Sequence, residues 1–490
     1  MNRWRSLWWR FAASLSRAVR TIEFWTLAVV CGIIIYVTMV PPIVGMADNG
    51  DFLRIMATVG LDYLDPTLSY DDKYFGFYIE DWSLVMLGKG AYITTQTLVV
   101  FAATLLNRVL HSNSVFDMRF MVLLYGALLL VAFYYLLRWN KSKTSIAFNG
   151  LLAVLLVVVF ADGAYVAYFN SLFGEPVSLV FLLLTLAFGI ALTRQEKPSK
   201  RLLALYFTAC LFFVFSKIQN APVGVLAGLM GFRFLGFSPD RGWRRRVIGF
   251  SLALVLGSAA MYALAPKQFK EINIYQTVFY GVLKDSDTVQ ADLQELGLSP
   301  ELAVLANTNF FTPNTPIPQR DPQLYEMFYN RMSHAKIAAF YLKHPGRLLE
   351  KLEVAAQEGM KIRPYYLGTY EQSEGQPRGA VLTKLSLWSE GKKAWLPNRF
   401  WFVFALYVFY FGVLVWEYLR AASLRQRVFA ELFALVGCIG AISFLIPVIG
   451  DGEADLAKHL FLFNVCFDVM LVSSVLWVAW KLLVRSSERV

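Results

Sequence analysis

The chain has 490 residues, of which 57% are hydrophobic and only 17% charged, with 40 Phe, 24 Tyr and 13 Trp. That balance excludes a soluble protein of this length, and the aromatic content suits membrane interfaces. The net charge of +11 is spread through the gaps between apolar runs instead of forming one basic patch with stacking aromatics, which excludes nucleic acid as a partner and leaves the lipid bilayer.

In chain order, residues 1–20 set Arg3, Arg5, Arg10, Arg17 and Arg20 among Trp4, Trp8, Trp9 and Phe11, the pattern of a cytoplasmic interfacial helix. The run that follows is long and lacks a small-residue cleavage site, which argues against a signal peptide. A first span is predicted from about Phe24 to Val44, past which lie Asp48, Asn49, Gly50, Asp51 and Arg54. Two readings of this acid pair are open. In one, Asp48 caps a juxtamembrane helix beginning near Asp51, with Gly50 supplying the turn. In the other, a carboxylate at a membrane exit, dry on one side and wet on the other, has the proton affinity of a general base.

The stretch Leu84 to Leu110 is either a span or an amphipathic helix on the outer face. Its Lys89, Thr94, Thr95, Gln96, Thr104, Asn107 and Arg108 favour the second. That choice also puts Lys141, Lys143, the 197–201 cluster and Arg244, Arg245 and Arg246 inside. Further spans are then predicted at Met118–Arg138, Ile146–Phe160, Pro176–Leu192, Leu202–Phe215, from Pro222 towards Arg241, and at Val247–Leu264. Residues 266–398 are polar and mixed in charge. They hold a proline-rich loop (Thr312 to Pro322) and helix-like stretches at Gln323–Leu342 and Arg347–Met360. Spans at Phe400–Leu419, Phe429–Ile449 and His459–Leu482 complete the chain, with Arg420, Arg425, Arg427, Lys481 and Arg485 marking the inner side.

The expected fold is an all-α polytopic membrane protein of about ten transmembrane helices. It divides into an N-terminal transmembrane module (1–265, with a catalytic first outer loop at 45–117), a mainly helical extracytoplasmic domain (266–398) and C-terminal transmembrane helices (399–490). Both termini lie in the cytoplasm, and the bacterial plasma (inner) membrane is the expected location. Cys31, Cys210, Cys438 and Cys466 all lie in apolar runs, so no disulfide framework is offered, and no Cys/His cluster has metal-ligand spacing.

That topology gathers the unusual polar residues on the outer face. They are Asp48, Asp51 and Arg54; Asp162, Asn170 and Glu175; Lys217, Gln219 and Asn220; and Asp451, Glu453, Asp455, Lys458 and His459. Each string has a structural explanation: a solvated turn at Asp451, a favourable dipole contact for Glu175 before Pro176, snorkelling for Lys217. Their shared location is harder to explain structurally, because ionisable groups at a membrane are costly and usually functional. Carboxylates, cations and an apolar wall at one leaflet suit group transfer from a polyprenyl phosphate carrier. An acid deprotonates the acceptor hydroxyl, and positive charge stabilises the departing phosphate.

An acidic motif after the first span, a juxtamembrane helix and then a span opening near Asp117-Met118-Arg119 resemble the layout of GT-C membrane glycosyltransferases. Tyr92 to Trp139 looks like the corresponding region of protein mannosyltransferase and aminoarabinose transferase relatives. Ala47 to Arg54, Tyr168 to Glu175 and Asp451 to Asn464 resemble hexose transferases of bacterial cell-surface and S-layer glycan clusters. The resemblance implies a GT-C-like bundle that moves a hexose, with inversion, from a polyprenyl-phosphate-linked sugar to a cell-surface glycan or lipid-linked acceptor. It makes Asp48 or Asp51 the base, with a lean to Asp51 beside Arg54, and Glu175 the second-loop acid. Lys217, Arg363 or Lys458 would meet the phosphate, and Asn170, Glu453 and His459 are further candidate substrate contacts. No cofactor is required, and a divalent metal is permitted but not implied. The competing readings are a transporter or flippase of lipid-linked sugars, with Asp468 as the main mid-span charge, and an inactive scaffold of a glycan-export complex.

Overall fold

The computed structural model describes residues 21–88, 93–197 and 199–484. The interfacial stretch 1–20, Lys89 and Arg485 lie outside the described residues. The first apolar run forms α1 (Ile22–Thr38), opened by the Thr21 hydroxyl accepting from the Phe24 N–H. It is shorter than the predicted Phe24–Val44 span because the helix ends in a turn at Met39, ahead of Pro41 and Pro42, which cannot continue it. After the acid stretch come α2 (Leu53–Val59), β1 (Leu61–Tyr63), β2 (Asp81–Leu84), α3 (Thr95–Leu110) and β3 (Val115–Asp117).

The three strands form an antiparallel sheet in the order β1-β2-β3, pairing Tyr63 with Trp82 and Trp82 with Phe116. Its presence corrects the sequence expectation, which continued a helix from Leu84. Asn107 of α3 ties the sheet down, donating to the Ser112 and Val115 carbonyls and accepting from the Asp117 N–H.

The bundle follows as α4 (Arg119–Asn140), α5 (Ile146–Phe160), α6 (Glu175–Arg194), α7 (Lys200–Val214), α8 (Ala221–Phe232) and α9 (Arg241–Ala263). The polar region contributes α10 (Lys267–Thr277), α11 (Val289–Leu296), α12 (His334–Lys343), α13 (Pro345–Glu358) and α14 (Leu387–Trp395). The helix expected over Gln323–Leu342 is broken, its last part being α12, whose N-terminus is capped by Ser333. The chain ends in α15 (Phe400–Leu419), α16 (Leu424–Gly450), α17 (Leu456–His459) and α18 (Phe461–Leu483).

Among the described residues, seven helical stretches are long and apolar enough to cross a membrane, including α8 with its 3₁₀ extension to Phe237. The expected spans at α1, α5 and α7 are shorter helices of 15–17 residues. The chain is an all-α polytopic membrane protein, with one small sheet among the described residues. Helix α6 is apolar all round and its apolar window is wholly buried, so it is the central post of the bundle. Helix α15 is the opposite case, with most of its surface turned outward.

The polar region has two halves with different cores. Ile274 to Tyr341 build a core of their own around Tyr275, Phe279, Phe328 and Phe340. Beyond it, Leu352, Ala356 and Met360 pack on Phe444, Phe463 and Phe467 of the membrane helices, and Ile362, Leu367 and Leu382 join the main bundle core.

Candidate functional site

The acid loop is held as a strap between two other segments. The Gly45 and Ala47 N–H groups donate to the Thr369 and Gly368 carbonyls, and the Met46 N–H donates to the Asn170 carbonyl. Gly50, at φ +97°, supplies a turn that L side chains rarely adopt. In that turn the Asp48 Oδ1 accepts from the Gly50 N–H (2.8 Å) and the Phe52 N–H (3.1 Å). Asp48 therefore closes the turn before α2 instead of capping the helix itself, whose N-cap position is Phe52 and carries no side-chain cap, and it uses one oxygen only. Oδ2 is buried without a hydrogen-bond partner. Burial pushes the Asp48 carboxyl up to about 7, against the pull of its two backbone bonds and of Lys458.

Asp51 is the electrostatic opposite. Its Oδ1 lies 2.7 Å from Arg54, and its Oδ2 is bonded to the Lys458 ammonium. Burial pushes its proton affinity up, but Arg54 and Lys458 outweigh it and hold the carboxyl well below the usual range.

Lys458 is the hub. It sits on α17, fully enclosed, and donates also to the Asn49 Oδ1 (2.9 Å). Its ammonium lies 4.1 Å from the Phe173 ring centroid, and Asp51, Asp455 and Glu175 are its negative neighbours, which together hold its proton against burial. Glu175, at the first position of α6, receives the Lys217 ammonium on Oε1 at 2.5 Å, while its Oε2 is buried and unpartnered. Four strings of the sequence thus meet in one cluster: Asp48–Arg54, Phe173–Glu175, Lys217 and Asp451–His459.

The remaining expected residues fall into different settings. Asn170 donates both amide hydrogens to the Thr38 and Val44 carbonyls, bracing the end of α1 to the strap. Glu453 is clamped by Lys284 and by Lys351 (2.7 Å), and its N–H donates to the Tyr280 carbonyl, so it ties the site loop to the polar region. His459 pairs with Asp451 at 2.9 Å and lends its carbonyl to Gln219. Arg363 is buried, with one guanidinium nitrogen 3.4 Å from Glu390 and another unpartnered. It lies by Asp162 and Tyr168, outside the Lys458 pairings. Asp162, on the same face, caps α14 by accepting from the Trp388 (2.9 Å) and Ser389 (3.1 Å) N–H groups.

Two residues of the cluster had no assigned role in the sequence. The Tyr168 hydroxyl is buried and unpartnered between the charges of Glu175, Asp455 and Arg363. Asp455, in the left-handed region at φ +48°, accepts from Asn49 at 2.6 Å and keeps its Oδ1 unpartnered. Both lie in stretches already singled out, but only the folded chain reveals which oxygens are left over.

The orphaned atoms Asp48 Oδ2, Glu175 Oε2, Asp455 Oδ1 and Tyr168 Oη form a set of acceptors and a hydroxyl beside Lys458 and Lys217. Buried polar atoms normally find partners, so this set has unused hydrogen-bonding capacity that a polar ligand can take up. Carboxylates and hydroxyl suit the hydroxyls of a sugar, and the ammonium groups suit a phosphate. Among the described residues no group of three or more His, Cys, Asp or Glu side chains could hold a metal ion.

No curated protein and no solved structure shows significant similarity to the chain. The model of the YfdI N-terminal transmembrane domain matches residues 9–489, nearly the whole length. The chain is therefore an integral membrane protein belonging to the YfdI N-terminal transmembrane domain family.

Proposed function

We propose that the chain is a membrane glycosyltransferase of GT-C type that moves a hexose from a polyprenyl-phosphate donor to a surface glycan or lipid-linked acceptor, with inversion. The observation that carries the reading is the meeting, around Lys458, of carboxylates and cations from four distant strings. In this reading the acceptor hydroxyl gives its proton to a carboxylate. Its oxygen attacks the anomeric carbon from the face opposite the phosphate, and the bond to the phosphate oxygen breaks. Lys458, Lys217 and Arg54 receive the charge of the departing polyprenyl phosphate.

The proton inventory favours Asp48 over Asp51 as the base, reversing the lean of the sequence reading. A base must accept a proton near neutral pH. Asp48 has a free oxygen and a proton affinity to match, whereas Asp51 is held ionised by two cations and serves better to position them. A transporter would draw on charge in mid-membrane, but Asp468 is already committed to Lys392 (2.7 Å), Tyr165 (2.7 Å) and Trp388 (2.9 Å).

The cations at the far ends of α4, α6 and α16, and at the start of α9, support an extracytoplasmic site by the positive-inside rule. The test is transfer of a radiolabelled hexose from a polyprenyl-phosphate donor in detergent. Asp48→Asn should lose on the order of 10²–10⁴ in rate, and wild-type transfer by well-expressed Asp48→Asn would remove the assignment of the base. Absence of any transfer by the wild-type protein across donor sugars would favour the transporter or scaffold.

A further inference from the structure

At the end of the bundle away from the acid cluster, α15 and α18 leave a groove of about 520 Å³ between them. Phe409, Gly412 and Trp416 of α15 line one side, and Trp477 of α18 lines the other. The mouth carries Arg420, just past the end of α15, and Lys481, in the last turn of α18. Gly412 opens the middle, since a Cβ added there would meet nothing within 4 Å.

The two cations are held differently. Lys481 bonds Glu417 Oε1 at 2.6 Å, and the Trp477 indole N–H donates to the same oxygen at 3.0 Å. The Arg420 guanidinium lies over Trp416, its Cζ 3.7 Å from the ring centroid, and among the described residues it has no carboxylate at ion-pair distance. The mouth therefore keeps a net positive charge. This is an apolar trough ending in two indoles and a guanidinium, at the depth where headgroups lie.

We propose that this groove is a binding site for an anionic glycerophospholipid, an acyl chain lying over Gly412 and the phosphodiester bridging Arg420 and Lys481. Two arguments select this occupant. Charge complementarity favours an acidic headgroup over a zwitterionic one. Position excludes the carrier lipid of the acid cluster, because Lys481 lies 20 residues along α18 from Phe461, about 30 Å of helix, and so faces the other leaflet. The inference needs only the membrane-spanning architecture and stands whether or not the chain transfers sugars.

The test is native mass spectrometry of the full chain released from bilayers of equal phosphatidylglycerol and phosphatidylcholine. The wild-type protein should retain one phosphatidylglycerol with about tenfold preference. Arg420→Gln should bring the two lipids to parity, and Gly412→Leu, which fills the trough from a position with room for a side chain, should release both. Arg399→Gln, at the opposite end of α15, should keep the preference. Equal retention of the two lipids by wild type overturns the proposal, as does a preference that survives both groove variants. Displacement of phosphatidylglycerol by polyprenyl phosphate would also overturn it, by assigning the groove to the carrier.

Discussion

Asp48 and Asp51 are three residues apart, yet their surroundings drive their proton affinities in opposite directions. This separation predicts a pH dependence. Below about 7, Asp48 is protonated and has no proton-accepting oxygen to offer, so kcat/KM should fall roughly tenfold per pH unit and level off above about 7. Glu80 is the necessary control, because burial lifts its carboxyl to about 7 as well, beside Arg119 and far from Lys458 in the chain. Glu80→Gln should leave the acid limb in place; a limb that vanishes with Glu80 and persists in Asp48→Glu would contradict the assignment. The linkage sign gives an independent readout. The folded carboxyl of Asp48 is raised above its ordinary 3.8, so the stability of its neutral form is full below that value and is lost as pH rises through about 7. The interval corresponds to on the order of 4 kcal/mol. Asparagine keeps the oxygen that accepts from Gly50 and Phe52 without the charge. Asp48→Asn should therefore raise Tm in detergent little at pH 4 and most above pH 7, while transfer falls by a factor on the order of 10²–10⁴. Sequence alone singled out Asp48, Asp51, Glu175, Lys217 and Lys458, which the fold brings together, since acids and lysines at span ends stand out against apolar runs. It could not say which cation neutralises which acid, and that pairing decides which carboxylate is free to act as base.

At the scale of elements, the least visible feature was α14. Its Ser389, Glu390, Lys392 and Lys393 lie in the polar region where the sequence foresaw no helix, yet it docks into the bundle with Lys392 fully enclosed. The Lys392 ammonium reaches Asp468 (2.7 Å) and Asn464 (2.8 Å) of α18, and Asp162 caps the first turn of α14. A buried pair of this kind is weak evidence for net stability, but breaking one half strands a charge. Lys392→Met should cost about 3–5 kcal/mol, read as a large drop in Tm, and Lys392→Met with Asp468→Asn should recover part of it. Equal loss in the single and double variants would mean that the two side chains are not coupled. The strands of the first loop escaped notice for another reason: at three or four residues each, they are too short for alternation to register. The long apolar helices were legible, α5 and α15 to the residue, because a bilayer demands a length and a composition that little else does, whereas α9 and α16 start about five or six residues before the predicted spans, in basic turns that the apolar pattern does not cover. The site loop shows how the scales connect. Gly452, at φ +64°, brings its Cα against the segment around Gly281, where an added Cβ would lie 2.9 Å from the Gly281 Cα. That close approach seats the strand of chain that carries Asp455 and Lys458.

Over the whole molecule, charge divides along the bundle axis. The helices that begin or end at the acid cluster have their other ends at Arg194, Lys200, Arg233 and Arg425. Several of these cations join neighbouring helices there, as Arg233 does with Glu431 (2.7 Å) and Arg425 with the Glu196 carbonyl (2.6 Å). A basic end is retained on the cytoplasmic side during insertion, so the acid cluster should open on the far side of the membrane. The prediction can be checked by labelling intact cells with a membrane-impermeant maleimide. The four native cysteines lie within apolar helices and are buried or half-buried, so background labelling should be low. A cysteine in place of Lys343, an exposed residue of the polar region whose neighbour His344 pairs with Glu295, should label from outside. A cysteine in place of Lys143 or Arg244 should label only after permeabilisation. The opposite pattern would place Lys458 and its carboxylates on the cytoplasmic face. A soluble nucleotide sugar could then reach them directly, and the argument for a lipid-linked donor would lose its footing even if the base and its cations kept their roles.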